Sequence, residues 1–175
     1  MKHTLLIITA LMLVVGCTKE PIDDETLIEE DGLVYHPDTK ELYSGDVFKN
    51  YLGGKTQYEG SYKDGKQDGL YTEWHENGQK WIEATYKDGE LIEETWYYEN
   101  GQKKREVSYK DGKEEGLWTE WHENGQKWIE ATYKDGERVG KWTLWYKNGQ
   151  KHEEETYKDG ELIDYKAWDI DGNKR

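Results

Sequence analysis

The sequence predicts an all-β fold: an elongated, single-layer meander of antiparallel β-hairpins with a period of 23–24 residues. Three observations predict it. Glycine turns recur on two interleaved series, Asp-Gly at Gly65, Gly89, Gly112, Gly136 and Gly160, and Asn-Gly at Gly78, Gly101, Gly125 and Gly149. Residues between the turns alternate in the two-residue period of a strand. Residues 70–90 return almost unchanged as residues 117–137, with Tyr71 against Trp118 the one difference.

The turns come first. Asn-Gly and Asp-Gly tolerate positive φ and suit tight reversals, so the chain turns back about every dozen residues. Gly172 of Asp171-Gly172 continues the Asn-Gly series. Two units are one residue short, from Gly89 to Asn100 and from Gly160 to Asp171, and these lack the second glycine found at Gly69, Gly116 and Gly140. A wider loop is expected in the long units and a tighter reversal in the short ones.

The strands follow. Leu70, Thr72 and Trp74 share one face, and Tyr71, Glu73 and His75 the other. On the return, Trp81, Glu83 and Thr85 are expected on one face and Ile82, Ala84 and Tyr86 on the opposite one. Trp128, Glu130 and Thr132 repeat this against Ile129, Ala131 and Tyr133. With Trp 9, Tyr 14 and Phe 1 but few aliphatics, the core is expected to be aromatic, thin and continuous between units. Roughly twelve strands from Leu33 onward span about 55–60 Å at ~4.8 Å per strand. The terminal units are expected to be atypical caps.

Ahead of the repeats, Met1-Lys2-His3 is a short positive head, and residues 4–15 form an apolar run too short to span a bilayer. Val14-Val15-Gly16-Cys17 follows and resembles a lipobox, with the single cysteine of the chain at its end. The resemblance implies a lipoprotein signal peptide over residues 1–16, and a diacylglycerol on the Cys17 thiol with an acyl chain on its amine. An ordinary secretory signal with a spare cysteine is the alternative. Residues 17–30, acidic and without a period, read as the acylated Cys and a tether. Residues 31–175 read as the repeat domain. Thr18 is not the Asp that favours inner-membrane retention, so an extracytoplasmic outer-membrane address is expected, on the periplasmic or the surface face.

The net charge of -14 and the lack of a basic cluster beyond Lys103-Lys104-Arg105 speak against nucleic acid as a partner. Carboxylate pairs such as Glu73/Glu76 and Glu93/Glu94 are the expected yield of 38 acidic residues. A repeating thin sheet offers no unique cleft for acid–base work. His75 and His122 occupy equivalent places two units apart, about 20 Å at sheet spacing, too far to share an ion. No catalytic residue, metal site or cofactor is expected.

Residues 58–69, with Tyr58-Glu59-Gly60 opening the phrase and Tyr62-Lys63-Asp64-Gly65 within it, resemble a MORN repeat. The later Glu-Asn-Gly-Gln-Lys and Tyr-Lys-Asp-Gly phrases resemble its bacterial variant, found in YwqK-type antitoxin-like proteins. The resemblance covers residues 33–172. It implies a MORN-like hairpin meander that serves as a scaffold or binding surface without a catalytic centre.

One feature carries binding chemistry. Trp74, Trp121, Trp145 and Trp168 recur three residues before the turn Asn or Asp, with Tyr97 in the second unit, and Trp81 and Trp128 recur four residues after the turn Asn. These rings are either the packing of the sheet or a ladder that stacks on a partner. Three functions are weighed: a protein–protein interaction scaffold anchored through Cys17, a module binding an envelope glycan, and an antitoxin. The first is expected.

Overall fold

The computed structural model describes residues 20–175, and the signal segment and Cys17 lie outside the described residues. The strands in chain order are β1 (Ile22–Asp23), β2 (Ile28–Glu30), β3 (Leu33–Tyr35), β4 (Gly45–Asn50), β5 (Thr56–Lys63), β6 (Lys66–Gln67), β7 (Gly69–Trp74) and β8 (Lys80–Lys87). They continue as β9 (Glu90–Tyr97), β10 (Lys103–Lys110), β11 (Lys113–Glu114), β12 (Gly116–Trp121), β13 (Lys127–Lys134), β14 (Glu137–Trp145), β15 (Lys151–Lys158) and β16 (Glu161–Ala167). One sheet runs β1-β4-β5-β7-β8-β9-β10-β12-β13-β14-β15-β16, with β6 on β5 and β11 on β10. From β4 onward every pairing is antiparallel, as an all-β meander of hairpins requires.

The start of the sheet departs from the expected tether. Ile22 and Asp23 pair in parallel with Val47 and Phe48, Lys49 bridges Glu25 at 2.8 Å, and Tyr58 donates to Asp24. β2 and β3 form a separate hairpin, held by Val34 N–H donating to the Gly65 carbonyl at 2.9 Å. The folded part therefore begins at Ile22 rather than at residue 31. Acidic residues that look solvated in sequence find a lysine, a tyrosine and an open sheet edge once that edge exists.

The two glycine series make different turns. At Asp135-Gly136 both residues have positive φ, 52° and 83°, between the paired ends Lys134 and Glu137, a two-residue loop of the mirror-image kind that matches strand twist. At Asn124-Gly125 only the glycine does, with φ 79°. There Gly125 N–H donates to the His122 carbonyl, His122 N–H to the Gln126 carbonyl, and Gln126 N–H to Asn124 Oδ1 at 3.1 Å. The Asn side chain replaces a backbone partner, so a longer loop forms.

Long and short units do not differ at their turns. In the short unit, Thr85 pairs Glu93 and Tyr86 pairs Leu91, so one residue bulges from β9. In a long unit, Glu130 pairs Thr143 and Thr132 pairs Val139, so the excess on β14 is larger. The extra residue is absorbed in a mid-strand bulge, contrary to the wider loop expected, because a two-residue turn already fits the strand ends.

Two rows of side chains define the faces. On the back face, register partners run without a break through Phe48, Glu59, Thr72, Glu83, Thr95, Glu106, Thr119, Glu130, Thr143, Glu154 and Lys166. Glu and Thr alternate along it, and Thr72, Thr95, Thr119 and Thr143 are buried. On the front face, Tyr71 pairs Ala84, Ala84 pairs Glu94, Glu94 pairs Val107, and Trp118 pairs Ala131. Ala84, Val107 and Ala131 are the buried floor. Rings cover it in a chain: Tyr58 on Tyr71, Tyr71 on Tyr86, Trp118 on Tyr133, Tyr133 on Trp142 and Trp142 on Tyr157. A single-layer sheet has no second layer to bury its small residues, so long flat side chains lie over them instead.

Candidate functional site

The back face carries the first part of the expected ladder. Trp74 pairs Lys80, Tyr97 pairs Lys103, Trp121 pairs Lys127 and Trp145 pairs Lys151. Each of the last three lysines also reaches the next ring: Lys103 Nζ lies 5.8 Å from the Trp121 centroid, Lys127 Nζ 5.9 Å from Trp145 and Lys151 Nζ 5.8 Å from Trp168. Aromatic and cation thus alternate along one row. The same lysines bond the Glu three residues on, Lys80 to Glu83, Lys103 to Glu106 and Lys151 to Glu154 at 2.6 Å each, and Lys127 to Glu130. Lys80 and then Tyr97 hold the Glu83 carboxyl below its ordinary range, and Lys151 does the same for Glu154. Burial, then the bond to Glu83, raises the Tyr97 hydroxyl. Three of the five rings, Trp121, Trp145 and Trp168, thus share a face with an ammonium group.

Trp81 and Trp128 do not join this row. Register slips between Glu73 and Trp74, where Glu73 pairs Ile82 and Trp74 pairs Lys80, so Trp81 is the bulged residue. The slip at Glu120 and Trp121 does the same to Trp128. Trp81 turns to the front and meets front-face Trp96 nearly at right angles, with centroids 5.6 Å apart. Its other neighbour is His75 at 5.8 Å, and Trp128 stacks on His122 at 5.7 Å. The expectation that Trp81 shares a face with Glu83, and Trp128 with Glu130, is therefore corrected. Strict alternation fails where an extra residue enters the strand. Trp81 is 38% exposed and Trp128 41%.

The turn residues beside these rings tie one unit to the next. Tyr51 and Tyr98 donate to the carbonyls of Trp74 and Trp121, each at 2.7 Å, and Tyr146 to that of Trp168 at 3.0 Å. The His122 ring lies 3.1 Å from the Trp145 carbonyl oxygen. His122 thus takes the place that Tyr51, Tyr98 and Tyr146 hold in their units. Among the described residues no group of three or more His, Cys, Asp or Glu is placed to hold a metal.

A front-face cluster escaped the sequence reading. Glu94, 7% exposed, accepts from Arg105 at 2.6 Å and Tyr109 at 2.9 Å. The Arg105 guanidinium lies 5.3 Å from both the Trp96 and the Trp118 ring. Burial and Glu94 push the Tyr109 hydroxyl up to about 12. The available signal was a break in the repeat, since Arg105 stands where Ile82 and Ile129 stand in neighbouring units. Arg138 makes a similar contact, 3.1 Å from the Trp142 centroid. The front face between β8 and β13 is therefore a band of Trp, Tyr and Arg, bordered by exposed Trp81 and Trp128.

Comparison with known proteins gives one family. The MORN repeat variant model matches residues 67–88, 91–111, 114–135 and 138–159. No curated protein matches the chain. A crystal structure of a GtfA/B complex bound to UDP and GlcNAc is 10% identical over 72% of this chain and 22% of that chain, with a TM-score of 0.25, too low to carry an argument. The four matched segments run in tandem through residues 67–159 and follow the hairpin period of the sheet, so the chain belongs to the MORN repeat variant family.

Proposed function

We propose that this chain is a lipid-anchored, non-enzymatic scaffold of the cell envelope, which binds a protein partner on the front face of its repeat sheet. The observation that carries this reading is the pair of half-open indoles, Trp81 at 38% and Trp128 at 41% exposure, flanking an aromatic band that holds Arg105. Trp, Tyr and Arg dominate the energetics of protein interfaces. The glycan reading loses ground because Lys103, Lys127 and Lys151 sit over the back-face rings that a sugar would stack on. The anchoring part of the reading is supported by the apolar run ahead of Gly16-Cys17, and its outer-membrane part, on the periplasmic or surface side, by Thr18 in place of a retaining Asp.

Two experiments test the two parts. Palmitate labelling of intact cells should mark the wild type and miss the Cys17→Ala chain, and equal labelling refutes the anchor. Crosslinking and affinity capture from intact cells should recover a stoichiometric protein with the wild type, and lose it with the Trp81→Ala, Trp128→Ala double variant at unchanged circular dichroism. If no protein is captured and envelope polysaccharide fragments quench tryptophan fluorescence, the glycan module replaces the scaffold.

A further inference from the structure

The four Asn-Gly turns share one local sequence chemistry but not one set of contacts. Asn100 Nδ2 donates to the Glu123 carbonyl at 2.8 Å, Asn124 Nδ2 to the Lys147 carbonyl at 2.8 Å and Asn148 Nδ2 to the Ile170 carbonyl at 3.1 Å. Each amide is thereby pinned to the next turn along the sheet. Asn77 Oδ1 accepts from Gln79 N–H at 2.8 Å like its equivalents, yet among the described residues its Nδ2 meets no acceptor. A short unit follows it. Asn148 also precedes a short unit, and its bond is the longest of the three. Asn77 is exposed, and the space over Gly78 is open, whereas a glutamine Oε1 from the neighbouring turn fills that space at Gly101, Gly125 and Gly149.

We propose that Asn77 is a site of spontaneous covalent modification, the one Asn-Gly turn in this sheet that the fold does not protect from deamidation. The reaction needs only water. The Gly78 amide nitrogen attacks Asn77 Cγ and a C–N bond forms. The Cγ–Nδ2 bond breaks, and ammonia leaves with the proton from the Gly78 nitrogen. Water then opens the cyclic imide at either carbonyl, giving Asp or isoaspartate at position 77 with no oxidation or reduction. The Gly nitrogen is held alike in all four turns, donating at 2.8–2.9 Å to the carbonyls of His75, Tyr98, His122 and Tyr146. The anchored leaving amide is the difference. Modification places a new carboxylate, and in the iso form an extra backbone methylene, two residues from His75 and next to the Trp81 contact. It therefore acts on one of the two exposed indoles.

The test is a time course on the purified full-length chain in detergent at mildly alkaline pH, with peptide mapping of deamidated and isoaspartyl forms. Asn77 should convert roughly threefold to tenfold faster than Asn100 and Asn124, the factor that one net hydrogen bond supplies. In strong denaturant the four rates should converge, because the local sequences are alike. Equal native rates overturn the proposal, as does a native order that survives in denaturant. A fast mass gain that persists in an Asn77→Gln variant overturns it too.

Discussion

Lys127 sits between two indoles: it is the register partner of Trp121, and its Nζ lies 5.9 Å from the centroid of Trp145. The same side chain bonds Glu130. One lysine thus joins three strands, and its counterparts repeat the arrangement at Lys103 and Lys151. Replacing Lys127 with Ala should lower stability by about 0.5–1 kcal/mol, the scale of an exposed cation–π contact. It should also raise collisional quenching of tryptophan fluorescence. Unchanged quenching indicates that the ammonium does not shield the ring.

Arg105→Ala should be more costly than Lys127→Ala. It leaves Glu94, 7% exposed, with Tyr109 as its remaining donor, and removing a partner from a buried acceptor costs about 1–3 kcal/mol. The double variant Arg105→Ile, Glu94→Trp should recover much of this loss, because Ile129 and Trp118 occupy the equivalent positions of the next long unit. Denaturant midpoints of the three chains decide the point. A double variant as unstable as Arg105→Ala overturns the pairing.

The two turn types separate by substitution. Asp135→Ala forces a residue without a compensating side chain to φ 52° and should cost about 1–2 kcal/mol. Asp135→Asn should cost little, since Asn tolerates that conformation. Asn124→Ala keeps the strand register but removes the acceptor for Gln126 and the donor to Lys147. Its cost should be about 1 kcal/mol. Thermal unfolding of the three variants provides the ranking.

Stability should fall at high pH. Burial raises the hydroxyls of Tyr58, Tyr62, Tyr71, Tyr86, Tyr109 and Tyr133 above their ordinary value of 10.0, Tyr62 and Tyr109 to about 12. A raised acid is neutral in the fold while the unfolded chain ionises, so the stability they contribute is full below pH 10 and is lost as pH rises toward 12. Tyrosinate absorbance should therefore appear together with unfolding, and a gradual titration near pH 10 in a folded sheet contradicts this. At the acid end the sign reverses. Glu83 and Glu154 are lowered from 4.5 by Lys80 and Lys151, so their contribution is present above pH 4.5 and is lost as pH falls through the lowered values.

Much of this fold is legible in the residue order because each unit folds on local rules. The glycine series sets the reversals, and two-residue alternation places Tyr71 and Ala84 on one face and Thr72 and Glu83 on the other. The candidate rings are less legible. Trp74 and Trp81 read as one ladder in sequence, yet a single bulge between them puts them on opposite sides of the sheet. Bulges depend on how an extra residue is shared between paired strands, which no single strand encodes. The Arg105–Glu94 pair was hidden for the same reason, since eleven residues separate its members and only the hairpin brings them together.

The sequence by itself determined the repeat, its period, the places where the chain turns, and an aromatic core with polar residues between. Those features follow from glycine conformations and from side chains that alternate along extended backbone. The tertiary structure decided the rest: which rings are sheathed by lysine, which two indoles stay open, that residues 22–30 belong to the fold, and that Asn77 alone among its equivalents lacks a second anchor among the described residues. Each of these depends on register between neighbouring strands, a relation between units that no unit carries alone.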